Sequence, residues 1–361
     1  IQPDDLATII FSSGSSGIPK GVMLSHYNIL SNIRSLLSIF RVESGDHLSG
    51  ILPFFHSFGY TATLWLPMLA RAGVTFVPNP LDARLVAETI KANRSTLLFA
   101  TPTFLTHYTR RAEPDELRSL RFIFTGAEKL RQSIADDFEK KFGIRPMEGY
   151  GTTELSPIVS INLPDVTCGG LTQVAGKLGT IGHPAPGIAA RVIDMETGKP
   201  LGFGQRGLLL VKGPNVMRGY LDQPEKTSQV LQNGWYNTGD IATIDEDGFI
   251  TITDRLSRFS KIGGEMVGHL AVEDICMRDL GTGDQLVAVT SVPDPKKGEE
   301  LVVLYVAGRV DGDLLHRKVS ESNLPNLCKP KRDRFLPVEA IPTLGSGKLD
   351  VMKLKQLAIA A

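Results

Sequence analysis

Apolar and polar residues follow two different spacings along the first half of the chain, and each spacing predicts one kind of element. Short apolar runs, of which Leu6 to Phe11 is the first, predict buried strands. Apolar residues three and four positions apart, as in His26 to Phe40, predict amphipathic helices. Further strands are predicted at 50–52, 74–77, 96–99, 122–124 and before Glu148, and further helices at 83–92 and 132–142. Strands that alternate with helices predict a layered α/β domain with a largely parallel sheet.

The pattern changes at two points further along the chain. From about Gly179, short alternating strands are separated by turn residues such as Glu246-Asp247-Gly248, which predicts a small β-rich subdomain over about 179–253. After Asp254-Arg255, predicted helices at 270–277 and 313–322 and predicted strands at 285–292 and 300–306 indicate a separate α+β domain. We therefore predict a large domain over residues 1–254 and a smaller domain over 255–361.

Composition and charge narrow the class of protein. Lys plus Arg and Asp plus Glu both number 39, so the net charge gives no reason to expect a nucleic-acid partner. The three cysteines are far apart and form no C-x-x-C pair, which argues against a disulfide framework and suits a reducing, cytoplasmic location. The most apolar stretch, 60–70, contains Pro67 and is shorter than the ~20 apolar residues of a spanning helix. We expect no membrane insertion of this portion, while an interfacial association stays open.

The segment from Ser12 to Gly21 has the composition of an anion-binding loop. Its glycines let backbone amides turn toward an anion, its hydroxyls add donors, and its lysine adds a mobile positive charge. It is not a Walker A loop, because its glycines are three residues apart and no Ser or Thr follows the lysine. A flexible Ser/Gly linker is the alternative, but a linker should not sit tightly between a buried strand and Pro-Lys-Gly-Val. The candidate anion-binding residues are Ser12, Ser13, Gly14, Ser15, Ser16, Gly17 and Lys20.

A second motif, EGYGTTE, runs from Glu148 to Glu154. A strand end followed by two glycines, two hydroxyls and a carboxylate can hold a base, a phosphate oxygen and Mg²⁺ in that order. Since Mg²⁺ is usually bound by one or two carboxylates plus substrate phosphates, Glu154 alone is chemically sufficient. The alternative is a glycine-rich turn in which Glu154 caps a helix.

Two later motifs present an acid and a lysine. In YNTGD, Asp240 at a strand start can accept both ribose hydroxyls, although an isolated pentapeptide of this kind is more often a turn. In PTLGSGK, a Gly-Ser-Gly turn presents Lys348, which can swing into a site and neutralise charge that develops on phosphorus and carboxylate oxygens. A surface-loop lysine is the alternative unless all these motifs belong to one site.

The motifs occur in a specific order: the loop at 12–21, Gly126-Ala127-Glu128, GYGTTE, YNTGD, the Asp254-Arg255 joint and the final GSGK. In that order they resemble the adenylate-forming superfamily of acyl-CoA synthetases, luciferases and peptide-synthetase adenylation domains. The resemblance covers about Asp5 to Leu354. It implies a large N-terminal domain, layered α/β with a small β-rich subdomain, and a smaller, mobile α+β C-terminal domain. In that family a long segment precedes the phosphate loop, so we expect this chain, which starts at Ile1, to be truncated at its N-terminus.

Other stretches resemble one branch of that superfamily: LPFFHSFG, TFLTHY, TGAEKL, EGYGTTELSPIVSINLP, VKGPNVMRGYL and RFSKIGGEMV. They are similar to the synthetase half of the bacterial bifunctional acyl-[acyl-carrier-protein] synthetase/2-acylglycerophosphoethanolamine acyltransferase. The acyltransferase half of that family carries an H-x4-D motif. That spacing occurs here at His269 to Asp274, on a predicted helix where steps of ~100° place the two side chains on different faces, so we take the match as chance. We therefore expect the acyltransferase half to be absent from this chain. The resemblance implies an acyltransferase upstream, fused or associated, and any peripheral association with the inner membrane would come from that missing part.

The resemblance implies an AMP-forming acid–thiol ligase that uses ATP and Mg²⁺. A fatty carboxylate attacks the α-phosphate and releases pyrophosphate, and the phosphopantetheine thiol of acyl carrier protein then attacks the acyl-adenylate. No side-chain nucleophile is needed, since positioning and charge stabilisation suffice. The implied catalytic residues are Lys348 between carboxylate and α-phosphate, Thr153 on an α-phosphate oxygen and Glu154 on the metal. The implied ATP-binding residues include the phosphate loop. For the adenine they are Gly126, Ala127, Glu128 and Tyr150, followed in sequence by Gly151 and Thr152. For the ribose they are Asp240 and Arg255.

Residues for the acyl chain, the thiol and the carrier protein are also implied. The acyl- and thiol-binding residues are His56, Phe58, Lys261, Gly263 and Gly264, and the hinge is Ser257, where relatives usually carry Asp or Lys. The apolar run Tyr60, Leu64, Trp65 and Leu66 suits a lipid chain, although core packing explains it equally well.

Because carrier protein is acidic, we expect a basic docking patch. One candidate patch consists of Lys329, Lys331, Arg332 and Arg334. The other consists of Arg110, Arg111, Arg118 and Arg121. Solvated surface charge is the simpler explanation of each patch.

Two other functions stay open. The same adenylation with coenzyme A as acceptor would make the protein a long-chain fatty acid–CoA ligase. An inactive or nucleotide- or lipid-binding fragment is the second alternative, because a missing N-terminal part would leave the core of the large domain open.

Overall fold

The computed structural model describes residues 1–13, 19–278, 280, 284–343 and 349–360. They form two compact units. The first comprises residues 1–13, 19–238 and 242–252, and the second comprises residues 239–241 and the described residues from 253 onward. The predicted domain limits at 254/255 stay a prediction, because compactness alone does not show which segments move together.

A small antiparallel sheet contains the first strands of the chain. It consists of β1 (Leu6–Ser13), β2 (Pro19–Ser25) and β14 (Gly219–Tyr220), with β2 in the centre. Ser12 pairs with Lys20, so the described ends of the predicted phosphate loop lie opposite each other on adjacent strands. The prediction of a buried first strand was wrong, because Phe11 is 64% and Leu6 43% exposed. β1 is an edge strand of this sheet, so only part of its side chains, Ile10 among them, reach the core.

The main sheet lies in the same unit. Its strands are β3 (His47–Gly50), β4 (Gly73–Phe76), β5 (Leu97–Ala100), β6 (Phe122–Thr125), β7 (Met147–Gly151), β8 (Ile158–Ile161) and β11 (His183–Pro184). Their order is β11-β8-β7-β6-β5-β3-β4; neighbours from β7 to β4 run parallel, and β8 pairs antiparallel with β7 and β11. The predicted, largely parallel sheet is therefore confirmed. The strand predicted at 50–52 was wrong, since β3 ends at Gly50 and the apolar Ile51 and Leu52 are buried in the connection that follows.

Helices form the connections of the first unit. They are α1 (His26–Ile39), α2 (Ser57–Gly59), α3 (Leu66–Ala70), α4 (Ala83–Asn93), α5 (Pro102–Arg111), α6 (Pro114–Leu117), α7 (Gln132–Phe142) and α8 (Pro224–Val230). A π-helical turn, Tyr60–Trp65, joins α2 to α3, and a 3₁₀ turn covers Thr153–Leu155. α1 begins at a capping box in which the side chains of Ser25 and Asn28 each accept the other's backbone N–H. This cap starts the helix directly after β2.

The predicted β-rich region contains a further sheet and an exposed hairpin. The sheet is formed by β12 (Ala189–Ile193), β13 (Gly207–Lys212), β15 (Leu231–Gln232), β16 (Trp235–Ile244) and β17 (Ile250–Arg255). The hairpin consists of β9 (Val166–Cys168) and β10 (Leu171–Gln173). Gly169 and Gly170 form its turn with φ of 59° and 79°, a conformation that glycine adopts without strain.

The second unit is an α+β structure. Its strands are β18 (Phe259–Ile262), β19 (Glu265–Gly268), β20 (Val287–Asp294), β21 (Gly298–Val306) and β22 (Phe335–Val338), and its helices are α9 (His269–Met277), α10 (Gly312–Ser320) and α11 (Val351–Ala360). Alternate residues of β20 enter different cores, since Val287 packs with α9 and α10 and Ala288 with α11. The described part of the chain contains no helix with the length and apolarity needed to cross a membrane.

A buried polar pair lies in the core of the second unit. His269 is 4% exposed, and its Nε2 lies 2.7 Å from Ser260 Oγ. Burial lowers the pKa of His269 to about 3, and the nearby charges of Arg258 and Lys355 lower it further in the same direction. The histidine is therefore neutral and structural at physiological pH.

Candidate active site

Two buried asparagines of α1 hold the segments that surround the EGYGTTE motif. Asn32 Nδ2 donates to the carbonyl of Ile158 at 2.7 Å, and its Oδ1 accepts the N–H of the same residue at 3.2 Å. Asn28 Nδ2 donates to the carbonyls of Pro214 and Val216 at 2.8 and 2.9 Å. Because buried amides are stable only when their hydrogen bonds are satisfied, these contacts fix β8 and the 214–216 segment relative to α1.

The 214–217 segment is in turn bonded to the end of the EGYGTTE motif. The N–H of Met217 donates to the carbonyl of Glu154 at 2.8 Å, and Asn215 Nδ2 donates to that of Leu155 at 2.8 Å. Ser156 Oγ donates back to the carbonyl of Asn215 at 2.8 Å. Since β14 follows directly, these bonds determine where its tyrosine lies relative to Glu154.

That tyrosine, Tyr220, lies between a lysine of the predicted phosphate loop and the predicted metal ligand. Its hydroxyl donates to Glu154 Oε1 at 2.9 Å, and Lys20 Nζ lies 4.9 Å from the centre of its ring. Tyr236 of the YNTGD motif, 4% exposed, lies near this carboxylate, since burial, first, and the charge of Glu154 raise its pKa. We call the first three residues the Lys20–Tyr220–Glu154 cluster. Lys20 and Glu154 were proposed from the sequence, whereas neither tyrosine was, although both stand in motifs quoted above.

The hydroxyls of the EGYGTTE motif are also placed by tertiary contacts. Thr153 Oγ1 lies 3.1 Å from Ser57 Oγ, which belongs to the HSFG segment. Thr152 Oγ1 is buried and has no hydrogen-bond partner among the described residues. A Cβ on Gly151 would lie 2.1 Å from the carbonyl oxygen of Pro157, so only glycine fits there. The glycines of this motif lie inside β7, whereas the sequence predicted them after the strand.

A magnesium ion fits the chemistry of this cluster. Glu154 is 9% exposed, and the hydrogen bond from Tyr220 occupies only one of its two carboxylate oxygens. Within the described residues, no group of three or more His, Cys, Asp or Glu side chains could hold a metal by itself. A single carboxylate agrees with a metal whose other ligands are substrate phosphates and water, which is the usual situation for Mg²⁺. Glu154 is therefore the described residue that we would expect to hold it.

The loop 126–130, which contains the residues 126–128 predicted to face the adenine, is fixed by two carboxylates. Glu128 Oε2 accepts hydrogen bonds from the Thr103 hydroxyl at 2.7 Å and from its backbone N–H at 3.3 Å, so Glu128 stabilises the first turn of α5. Glu148 Oε1 accepts the N–H of Leu130 at 3.1 Å. Burial raises the pKa of Glu148 to about 7. The Leu130 N–H and the charge of Lys129 lower this pKa, but their effects are smaller than that of burial. Ala127 adopts a φ of 70°, which completes the tight path of the loop.

The aromatic segment predicted near the acyl chain packs against this loop. His56 caps α2, since its Nδ1 accepts the N–H of Phe58 at 3.3 Å. The Phe58 ring lies edge-on to Phe99, with 6.1 Å between ring centres, and a Cβ on Gly126 would lie 3.4 Å from Phe58 Cε1. The structure therefore brings Phe58 beside Gly126, and His56 caps the short helix that carries Phe58.

In the second unit, the two predicted ribose ligands form an ion pair. Arg255 Nε donates to Asp240 Oδ1 at 2.7 Å. Asp240 is 3% exposed, whereas the Arg255 side chain is 50% exposed. The N–H of Arg255 donates to Asp254 Oδ1 at 2.8 Å, which holds the backbone at this position.

The other predicted and described residues of the second unit are exposed, on turns or, for Lys261, on a strand. Ser257 is in a 3₁₀ turn, Leu256–Arg258, and Lys261 is in β18. Gly263 and Gly264 form the β18–β19 turn with φ of 60° and 93°, which explains why both are glycine. Gly14, Ser15, Ser16, Gly17 and Lys348 lie outside the described residues, and of Ser13 the backbone in β1 is described.

Comparison with known proteins identifies the family. The family model "AMP-binding enzyme" matches residues 1–221. The chain is 32% identical, over 96% of its length, to a feruloyl-CoA synthase of an Amycolatopsis species, of which it covers 68%. It is also 32% identical, over 97% of its length, to a long-chain-fatty-acid–CoA ligase of Bacillus subtilis, of which it covers 61%. Its fold is similar to that of ATP-bound MatB from Rhodopseudomonas palustris, with a TM-score of 0.88, 30% identity and coverage of 99% of this chain and 69% of that one.

The chain therefore belongs to the AMP-binding, adenylate-forming enzymes, in the acyl-CoA synthetase and ligase family. The predicted adenylate-forming fold is confirmed, and so is the class of AMP-forming acid–thiol ligases that use ATP. Four points stay predictions: the closer identification with the synthetase half of the bifunctional enzyme, the N-terminal truncation, the cytoplasmic location and the roles of individual site residues.

Proposed function

We propose that the chain is the adenylating part of a long-chain fatty acid ligase that loads the phosphopantetheine of acyl carrier protein. The observation that carries the proposal is the Lys20–Tyr220–Glu154 cluster, because it joins residues from three separate motifs. Adenylation of a carboxylate with ATP needs a cation for the phosphates and a carboxylate for the metal, close together and fixed before the substrate binds. This cluster supplies both charges within one unit of the structure.

In the first step, an oxygen of the fatty carboxylate attacks the α-phosphorus; the new P–O bond forms as the bond to pyrophosphate breaks. Lys20 and the residues of its loop would hold the β- and γ-phosphates, and Thr153, placed by Ser57, would donate to an α-phosphate oxygen. Mg²⁺, held by Glu154, would supply charge neutralisation on the phosphates. Lys348 would bridge the carboxylate and the α-phosphate. The loop 126–128 with Tyr150 to Thr152 would hold the adenine side of ATP, and Asp240 with Arg255 the ribose.

In the second step, the sulfur of the phosphopantetheine thiolate attacks the acyl carbon, and AMP leaves with the electrons of the broken C–O bond. A thiol with an unperturbed pKa of ~8.5 needs little activation against so reactive an acyl-adenylate, which is a mixed anhydride. Gly263 and Gly264 of the exposed β18–β19 turn, together with the exposed Lys261 of β18, would line its approach. Ser257 would be the hinge between the two steps.

The apolar run after His56 supplies candidate walls for the acyl chain. Leu66 is fully buried, so core packing explains it. Tyr60, Leu64 and Trp65 are half-buried and lie on the π-helical turn, a local distortion that is frequent at functional sites. We propose that these three residues, with Phe58, contact the substrate chain.

One of the two candidate docking patches for an acidic carrier protein is already balanced by carboxylates. Lys331 Nζ and Arg334 Nε lie 3.6 and 2.7 Å from oxygens of Glu300, and Arg332 pairs with Asp313. Lys329, beside them, donates to two backbone carbonyls. This patch therefore offers little uncompensated positive charge.

The second patch, at the end of α5, is the better candidate. Arg110 and Arg111 are exposed in the last turn of α5, and Arg118 is exposed nearby in sequence. Lys141 Nζ, from the last turn of α7, donates to the carbonyl of Thr109 at 2.9 Å, which brings a further cation to this end of α5. Arg121 is already paired with Asp46 at 2.8 Å. We therefore propose that the carrier protein docks at the end of α5.

A thioester assay with each acceptor tests the proposed function. The purified chain, ATP, Mg²⁺ and radiolabelled palmitate are incubated with equal concentrations of phosphopantetheinylated carrier protein or coenzyme A. We expect the label on carrier protein, and we expect the double variant Arg110→Glu/Arg111→Glu to reduce that labelling. The matched control is Lys331→Glu/Arg332→Glu, a reversal in the balanced patch. Acylation of coenzyme A with none of carrier protein would contradict the proposed acceptor.

The second candidate function is a fatty acid–CoA ligase with the same adenylation step. It is favoured by the names of the relatives, since the Bacillus subtilis protein is a long-chain-fatty-acid–CoA ligase. The assay above separates the two acceptors directly. Failure with both acceptors would leave the third alternative, a nucleotide- or lipid-binding chain without activity.

A further inference from the structure

Tyr220 is placed to act on both charged groups of the cluster at once. Its ring lies under Lys20 Nζ and its hydroxyl donates to Glu154 Oε1. Sheet pairing fixes it, since Tyr220 in β14 pairs with Val22 in β2, the strand that carries Lys20. The sequence separation of 66 residues between Tyr220 and Glu154 shows that this contact exists only in the folded chain.

The two contacts have different physical effects. The hydrogen bond occupies Glu154 Oε1 and sets the orientation of the carboxylate; among the described residues, no hydrogen bond reaches the other oxygen, Oε2. An outer partner of this kind aims a metal ligand and increases its affinity. The ring contact is a cation–π interaction, which favours one position of an otherwise flexible ammonium group. Tyr220 therefore links the position of the positive group to that of the negative group.

A second tyrosine, Tyr236, lies in the same neighbourhood. It is almost fully buried, and burial, first, and the charge of Glu154 raise its pKa. Burial, first, and the charge of Glu154 also raise the pKa of Tyr220, so the hydroxyl that contacts Glu154 keeps its proton at physiological pH.

We propose that Tyr220 is a positioning residue that aligns Glu154 for Mg²⁺ and Lys20 for the phosphates. The inference rests on the proposed function of the cluster. It predicts that the hydroxyl and the ring of Tyr220 have separable roles: the hydroxyl determines metal affinity, and the ring determines how the phosphates bind.

Binding measurements without fatty acid, and therefore without turnover, test this inference. Calorimetric titration of the full chain with ATP, at a series of Mg²⁺ concentrations and without Mg²⁺, gives the metal dependence and the metal-free affinity. For Tyr220→Phe we expect the Mg²⁺ concentration at half-maximal effect to rise about 10- to 100-fold, with metal-free ATP affinity unchanged. For Tyr220→Leu, which also removes the ring, we expect metal-free affinity to fall as well.

Tyr108→Phe is the matched control. Tyr108 is a buried tyrosine of the same unit, but its hydroxyl donates to the backbone carbonyl of Pro80 at 2.8 Å, so we expect wild-type Mg²⁺ dependence. A thermal unfolding scan of each variant distinguishes a lost fold from a lost role. Wild-type Mg²⁺ dependence in folded Tyr220→Phe would overturn the inference alone. A wild-type chain that binds no ATP with Mg²⁺ would overturn the proposed function and the inference together.

Discussion

The two units of the molecule hold their candidate site residues in different ways. In the first unit, Thr153 and Glu154 are each 9% exposed and are bonded to Ser57 and Tyr220. In the second unit, the candidate residues in and beside β18 are exposed, whereas Asp240 in β16 is buried. Groups that are fixed before the substrate arrives suit charge stabilisation, because no energy is then needed to orient them. Exposed groups on turns suit a transient contact. Substitutions should therefore affect metal chemistry in the first unit and substrate binding in the second.

The largest effect is expected for Glu154→Gln. The amide keeps the size of the side chain and an acceptor for the Tyr220 hydroxyl, but it removes the charge that would bind Mg²⁺. Since metal charge stabilisation is worth several kcal/mol, we expect fatty-acid-dependent pyrophosphate exchange to fall at least about 100-fold. The unfolding free energy should change by no more than about 1 kcal/mol, because the hydrogen bond is retained. Glu88→Gln, in an exposed pair with Arg84, is the control. Full exchange in Glu154→Gln would remove this residue from the metal site.

A smaller effect is expected for Asp240→Asn in the second unit. The amide oxygen can still accept from Arg255 Nε, but it is a weaker acceptor for ribose hydroxyls. Loss of one charged hydrogen bond predicts an increase of about tenfold in the KM for ATP. Because the Arg255 side chain is half-exposed, the ion pair should contribute little to stability. Asp313→Asn, in an exposed pair with Arg332, serves as the control in the same unit. An unchanged KM would show that Asp240 is structural.

The smallest effect concerns stability and is specific to the first unit. Burial raises the pKa of Glu148 from its ordinary value of 4.5 to about 7, so ionisation is less favourable in the folded state. The stability that this group contributes is present below pH 4.5 and is lost as the pH rises through 7. Glu148→Gln keeps an acceptor for the Leu130 N–H and cannot ionise. We therefore expect it to be more stable than wild type by about 1 to 3 kcal/mol at pH 8, with a smaller difference toward pH 5.

Urea unfolding at both pH values, beside the exposed control Glu196→Gln, measures this difference. A constant difference between Glu148→Gln and wild type at the two pH values would mean that Glu148 ionises as freely in the folded chain as in the unfolded chain.

Regular elements with strong local signals could be predicted from the sequence. Helix α7 has the predicted bounds, Gln132–Phe142, because its helical spacing ends at Gly143, which adopts the left-handed conformation with a φ of 73°. α1 ends one residue before the predicted Phe40. The first strand was predicted less well, since an apolar run does not show whether its partners form a central sheet or an edge.

The site was predictable as a set of motifs but not as a network. Glu154 and Lys20 could be proposed because a carboxylate and a lysine beside glycines have a chemical meaning without a structure. Tyr220 could not, since an isolated tyrosine is compatible with any core, and its role depends on a contact with a residue that is distant in sequence. The balance of charge on the 329–334 patch was hidden for the same reason: Glu300 and Asp313, which pair with it, lie elsewhere in the sequence.

The most direct test of the account is exchange of labelled pyrophosphate into ATP, with and without a long-chain fatty acid, in the presence of Mg²⁺. The chain as it stands should catalyse exchange that depends on both the fatty acid and Mg²⁺, and Lys348→Ala should abolish most of it while the protein stays folded. Exchange that occurs without fatty acid, or none under any condition, would contradict the central claim that this chain activates a fatty carboxylate by adenylation.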